Sequence, residues 1–172
     1  DIAFATAGNG TSTHIGGEML NALAGVKMTA IAYKGSGPAV TDVMAGHVPA
    51  MLDTALIVGS HTRAGKLRAL AVASPTRIDS MPEVPTAKEA GLPDFEIGSW
   101  QAIFAPAGTP KDIVERMNKE IAGVMKMPDV KARFDELGFS GGGGAAQQLA
   151  DLQKNDIAKY AKVVKDGNIK PD

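Results

Sequence analysis

Between residues 2 and 73, short apolar runs alternate with helix-patterned segments, and glycines stand at most of the junctions. Few architectures accept such a chain. Runs separated by helix-length segments cannot pair as tight hairpins, so the strands run mostly parallel and the helices cover the sheet. The first run, residues 2–6, reads as a strand. Residues 12–23 read as a helix, with Ile15, Met19 and Leu23 on one face and Gly25 as its stop. Strand 28–33 follows, then a short helix over 38–45 with Pro38 in its first turn, where a missing N–H costs nothing. A third strand over 48–53, a helix over 56–64 ending at Gly65 and a fourth strand over 67–73 complete the series.

From residue 74 the texture changes. Pro75, Pro82, Pro85 and Pro93 punctuate a linker with room for one short helix over 86–90. A strand over 97–105 with Trp100 and Phe104 comes next. Amphipathic helices follow over 112–127, where Ile113, Met117, Ile121 and Val124 form a stripe, then over 128–137 and 145–165. Gly141–Gly144 reads as a flexible break. The pattern therefore predicts a βα-rich part to about residue 95 and a helix-dominated part with one strand.

Composition narrows function by exclusion. The net charge of −1 offers no basic field for nucleic acid or an anionic membrane surface. Without cysteine there is no thiol nucleophile, disulfide or zinc–thiolate site. No apolar run approaches the ~20 residues of a membrane span. His14, His47 and His61 share no metal-like spacing, so neither a metal nor a cofactor is expected. The opening Asp1-Ile2-Ala3-Phe4 reads as the inside of a strand and suggests a fragment of a longer protein.

Three loops at strand carboxyl ends carry the candidate chemistry. Gly8-Asn9-Gly10-Thr11-Ser12-Thr13 has neither the third glycine of a dinucleotide fingerprint nor the lysine of a phosphate-binding P-loop. It still feeds a helix whose first N–H groups are unpaired and partly positive, an end suited to carboxylate or phosphate. Thr11, Ser12 and Thr13 either cap those amides or offer hydroxyls to a ligand. His14 in the first turn opposes the helix dipole if charged, so it reads as neutral and hydrogen-bonded, either capping or facing a ligand. Lys34 follows the second strand and Asp53 the third, the latter as an N-cap or a ligand-side acceptor. In open α/β folds such loops converge on one edge of the sheet. A GxSxG match at Gly138–Gly142 lacks the strand–turn–helix setting of a nucleophile elbow and reads as accidental. With no matched acid–base pair, binding is favoured over chemistry. The alternative is an α/β hydrolase-like enzyme using Ser12 or Ser140 with His14.

The loop Thr6–His14, Tyr33-Lys34-Gly35, AGKLRALAVAS (64–74), MPEVPTAKEAGLPDFE (81–96), Trp100, APAGTP (105–110) and VVKDGNIKPD (163–172) occur in that order along the chain. Together they resemble the Bug-type extracytoplasmic solute receptors, the binding components of tripartite tricarboxylate transporters. The resemblance implies an α/β, periplasmic-binding-protein-like fold with a mostly parallel sheet flanked by helices, one complete lobe plus part of a second. Residues 1–97 would form ligand-binding lobe two and residues 98–172 the C-terminal part of lobe one. It implies a periplasmic receptor, not an enzyme, that captures a small carboxylate (a di- or tricarboxylate, an amino acid or an aromatic acid). Its partners would be that ligand, membrane transporter subunits and the missing N-terminal part of lobe one. Ligand-side residues carried over are Asn9, Gly10, Thr11, Ser12, His14, Lys34 and Asp53. Two departures stand away from that site: Tyr160 where Trp is common, and Gly141–Gly144 in place of a more structured turn. If lobe one is incomplete, helices 112–127 and 145–165 expose apolar faces.

Overall fold

The computed structural model describes residues 2–137, 139 and 142–170. Its elements are β1 (Ile2–Thr6), α1 (Ser12–Ala24), β2 (Met28–Ala32), α2 (Ser36–Met44), β3 (Ala50–Met51), α3 (Ala55–Arg63), α4 (Lys111–Val124), α5 (Pro128–Glu136) and α6 (Ala146–Asp166). Two compact units result, residues 1–99 with 160–172 and residues 100–159.

In the first unit the sheet has the order β2-β1-β3 and every pairing is parallel, with Thr6 opposite Ala32 and Ala5 opposite Met51. Side chains alternate across β1. Ala5, with Ala3 beside it, packs against Ala39 of α2 and Val48. Phe4 points the other way, against α1, where a Cβ on Gly17 would fall on its ring and one on Gly16 on the Leu52 side chain. These two glycines let the helix backbone settle onto the sheet. They also turn the helix: its buried positions are Thr13, Gly16, Gly17 and Met19, whereas Leu23, expected inside, is exposed. Met19 joins Ala87 and Phe95 in a second core, which Tyr160 and Val163 from the end of α6 help to close.

Two expected strands are absent among the described residues. In 67–73 only the end is paired: Val72 N–H donates to the Pro85 carbonyl at 2.8 Å, Ala87 N–H to the Val72 carbonyl at 2.8 Å, and Ile97 N–H to the Ala73 carbonyl at 3.0 Å. Among the described residues, 68–71 and 98–105 make no backbone hydrogen bond, and Leu70 is 71% exposed. Their alternation is strand-like, but a strand is defined by its ladder, and these backbones pair with no neighbour among the described residues. The expected third strand contracts to Ala50–Met51, the stretch that finds β1. Residues 86–90 form a turn, not a helix.

The second unit is helical. Asn118 Nδ2 donates to the Gly144 carbonyl at 2.8 Å, and Trp100 Nε1 donates to Asp156 of α6 at 2.8 Å. Gly143 lies so close that an added Cβ would stand 2.9 Å from Cα of Ala122. Ala122 of α4 and Met125, its C-cap, thus meet the 142–144 segment, which leaves much of the expected Ile113–Met117–Val124 stripe exposed. No described residue of this unit is buried.

Candidate functional site at the carboxyl edge of the sheet

The order β2-β1-β3 means that the chain moves from β1 to one neighbour and then crosses to the other side of β1. That reversal is the switch point of a doubly wound sheet, where a crevice opens at the strand carboxyl ends. The 7–11 loop lies there, and the ladder runs on past the strands to hold it. Tyr33 N–H donates to the Thr6 carbonyl at 3.1 Å and Gly35 N–H to the Ala7 carbonyl at 3.0 Å.

Inside this loop, Gly8 and Gly10 have φ of 138° and 72°, values that side chains disfavour. A chain of hydrogen bonds then fixes the hydroxyls. Ala7 N–H donates to Thr13 Oγ1 at 2.9 Å. Thr11 Oγ1 is 2.7 Å from the Gly8 carbonyl, which only accepts, so the single Thr11 proton goes there. The 2.8 Å contact between the two threonines is therefore donated by Thr13. Thr11 is the N-cap of α1 and accepts from His14 N–H at 3.4 Å. Both threonine hydroxyls are thus committed to the loop's own frame.

His14 is committed as well. Its Nδ1 accepts from Gly10 N–H at 3.2 Å, which places the ring proton on Nε2, 4.0 Å from Glu18 Oε1. The side chain is 12% exposed. This is the neutral, hydrogen-bonded histidine read from its place in the first turn, and it braces the glycine turn. It makes no bond to Ser12, so the Ser12–His14 pair that a hydrolase would use is not formed among the described residues. Ser140, the other candidate nucleophile, lies outside the described residues together with Gly138 and Gly141.

What stays open is backbone. Among the described residues nothing accepts from the N–H groups of Ser12 and Thr13 at the start of α1. The same holds for Ser36 and Gly37 of α2, whose N-cap Gly35 has no side chain, and for Ala55 and Leu56 of α3, whose N-cap Thr54 makes no side-chain bond. Three partly positive helix ends therefore follow three adjacent parallel strands. Asn9 is exposed on the first loop and Lys34 on the second. Asp53 is not an N-cap: it precedes Thr54, whose N–H it accepts through Oδ1 at 2.7 Å, while its buried Oδ2 has no partner among the described residues.

One cluster beside this edge escaped the sequence reading. Tyr33 donates its hydroxyl to Asp42 Oδ2 at 2.7 Å, and His47 Nδ1 lies 3.3 Å from Asp42 Oδ1. The Tyr33 hydrogen bond, then that from His47, holds the Asp42 carboxyl below its ordinary range, and Asp42 in turn raises Tyr33. The spacings of nine and five residues carry no periodic signal, so only the fold reveals it. No group of three or more potential metal ligands occurs among the described residues.

Comparison with known proteins bears on the family and the fold. The family described as "Tripartite tricarboxylate transporter family receptor" matches residues 1–169. A UPF0065 protein in the tcbD-tcbE intergenic region of Pseudomonas sp. is 43% identical over 164 residues, covering 95% of this chain and 49% of that protein. Protein BugT of Bordetella pertussis is 34% identical, with 99% of this chain and 52% of BugT covered. Among solved structures, an R. palustris protein with adipate superposes with a TM-score of 0.89 at 31% identity, covering 99% of this chain and 57% of that one. MatC from Rhodopseudomonas palustris with bound malate superposes with a TM-score of 0.81 at 33% identity, covering 95% and 56%. The chain thus spans about half the length of these relatives.

Proposed function

Since the chain belongs to the tripartite tricarboxylate transporter receptor family, we propose that it holds a small carboxylate as part of a periplasmic solute receptor. The observation that carries this reading is the set of open helix N-termini at one sheet edge, led by the Ser12 and Thr13 amides. A carboxylate there accepts two N–H bonds in a field that already favours negative charge, and needs no lysine or arginine. Ser12 adds a hydroxyl, Asn9 and Lys34 flank the mouth, and Thr11, Gly10 and His14 keep the loop in shape. That malate and adipate accompany two neighbours of the same fold supports an aliphatic dicarboxylate as the ligand class. The captured solute passes to membrane subunits of the transporter.

The test is a thermal-shift panel of aliphatic di- and tricarboxylates, amino acids and aromatic acids. At 100 times its dissociation constant a ligand adds about 2.7 kcal/mol to folded stability. A Ser12→Pro variant, measured against Ser12→Ala to allow for the lost hydroxyl, isolates the amide. Ser12 is the first helical residue, where proline is tolerated, and Thr11 before it is already extended at φ −72°, ψ 163°. The variant should keep its unliganded stability and lose about tenfold or more in carboxylate affinity, as expected for a lost hydrogen bond to a charged group. Wild-type affinity in this variant, or indifference of the native chain to every carboxylate, overturns the reading.

A further inference from the structure

Asn9 is the one asparagine of the chain that is followed by glycine, and it stands exposed in the turn between β1 and α1. The nitrogen of a following residue can attack an asparagine carboxamide and close a succinimide ring. Glycine leaves that nitrogen unshielded, because no Cβ stands beside it, and the φ of 72° at Gly10 favours glycine there. The attack also needs something to take the amide proton, and the fold supplies it. His14 Nδ1 accepts from Gly10 N–H at 3.2 Å, so a neutral imidazole already lies on the proton that has to leave. The ring is 12% exposed and is carried by the first turn of α1. Glu18, 4.0 Å from Nε2, is the one charged group within ion-pair reach of it among the described residues.

We propose that Asn9 is a self-modification site, at which His14 acts as the base and the side chain of residue 9 ends as a carboxylate. The bond from Gly10 N to Asn9 Cγ forms as the proton passes to His14 Nδ1. The tetrahedral carbon then breaks its bond to the side-chain nitrogen, which takes the proton back from the imidazolium and leaves as ammonia. Water opens the succinimide at either of its carbonyls. One opening gives aspartate at position 9, the other isoaspartate, with the backbone rerouted through the side chain. Gly10 regains its N–H in both, and nothing is oxidised or reduced. Either product adds a negative charge to the loop that leads into the open Ser12 and Thr13 amides. On the receptor reading above, that charge opposes a solute carboxylate. The conversion itself needs no solute, so its failure and the failure of that reading are told apart.

The experiment incubates the chain at neutral pH without any carboxylate solute and maps its peptides by mass spectrometry over time. An isoaspartate-specific methyl transfer distinguishes the two products. Residue 9 should convert ahead of Asn21, Asn118, Asn155 and Asn168. Asn9→Gln, whose longer side chain closes the ring poorly, should stay intact at that position. His14→Gln keeps an acceptor for Gly10 N–H but removes the base, and should slow conversion on the order of 10²-fold. A second readout needs no variant. In the native chain the rate should level off once the imidazole is neutral, whereas attack driven by hydroxide alone keeps climbing with pH. Three results would each overturn the proposal: residue 9 lasting as long as the other asparagines, an equal or faster rate in His14→Gln, or a rate that follows hydroxide throughout.

Discussion

Small residues decide the geometry of the first loop, and each has a measurable role. Thr13 is the clearest, because its buried hydroxyl accepts from Ala7 N–H and donates to Thr11. Thr13→Val keeps the shape and removes the acceptor, leaving a half-buried N–H unsatisfied. The expected loss is about 1–3 kcal/mol of unfolding free energy by urea titration at unchanged slope. Gly17→Ala should cost a similar ~1–3 kcal/mol for a different reason, since its methyl group would overlap the buried Phe4 ring. The sequence made the glycine turn and the neutral His14 legible, because both follow from chemistry within one helical turn. It did not show that the threonines are spent on the loop itself. That depends on where the Ala7 N–H and Gly8 carbonyl point, which β1 and its neighbours set.

At the scale of elements, pattern and structure agree where the pattern is local. β1, α1, β2, α2 and α3 begin and end within two residues of the boundaries read from periodicity, glycine and proline. Residues 67–73 and 97–105 differ because a strand needs a partner at long range, which no single segment encodes. The turn at residues 86–90 lies between these cases. Thr86 N–H donates to Glu89 at 2.8 Å and Glu89 N–H to Thr86 Oγ1 at 3.1 Å, the reciprocal bonds of a helix-start box, yet only a turn follows. Gly91 and Leu92 close it, with φ of 97° at Gly91. Arg77, at 2.9 Å, and then Thr86 N–H hold the Glu89 carboxyl below its ordinary range. A carboxyl that ionises more readily folded than unfolded contributes stability above the unfolded value, about pH 4.3. That contribution disappears as pH falls through the lower folded value. Unfolding titrations from neutral to acid pH should therefore show a shallower acid loss in Glu89→Gln than in the native chain. An unchanged acid limb would remove Glu89 from the account.

The molecule as a whole divides its stability unevenly. The unit of residues 1–99 and 160–172 contains every buried apolar side chain among the described residues, from Phe4 and Ala5 to Phe95 and Ile169. In native-state hydrogen exchange, amides of β1 should open only near the global unfolding free energy, and those of α4 at a distinctly lower one. Equal protection in the two would mean that residues 100–159 draw on cohesion their exposure does not show. The same asymmetry governs the fate of the polypeptide in a cell. Proteases cut chain that opens readily, and where opening is fast relative to cleavage the rate follows the open population. A helical region in which no described residue is buried offers such sites continuously, so cleavage would concentrate between residues 100 and 159 while the sheet-bearing part survives. Pulse-chase turnover thus becomes a reporter: fragments of the sheet-bearing part should outlive those of residues 100–159.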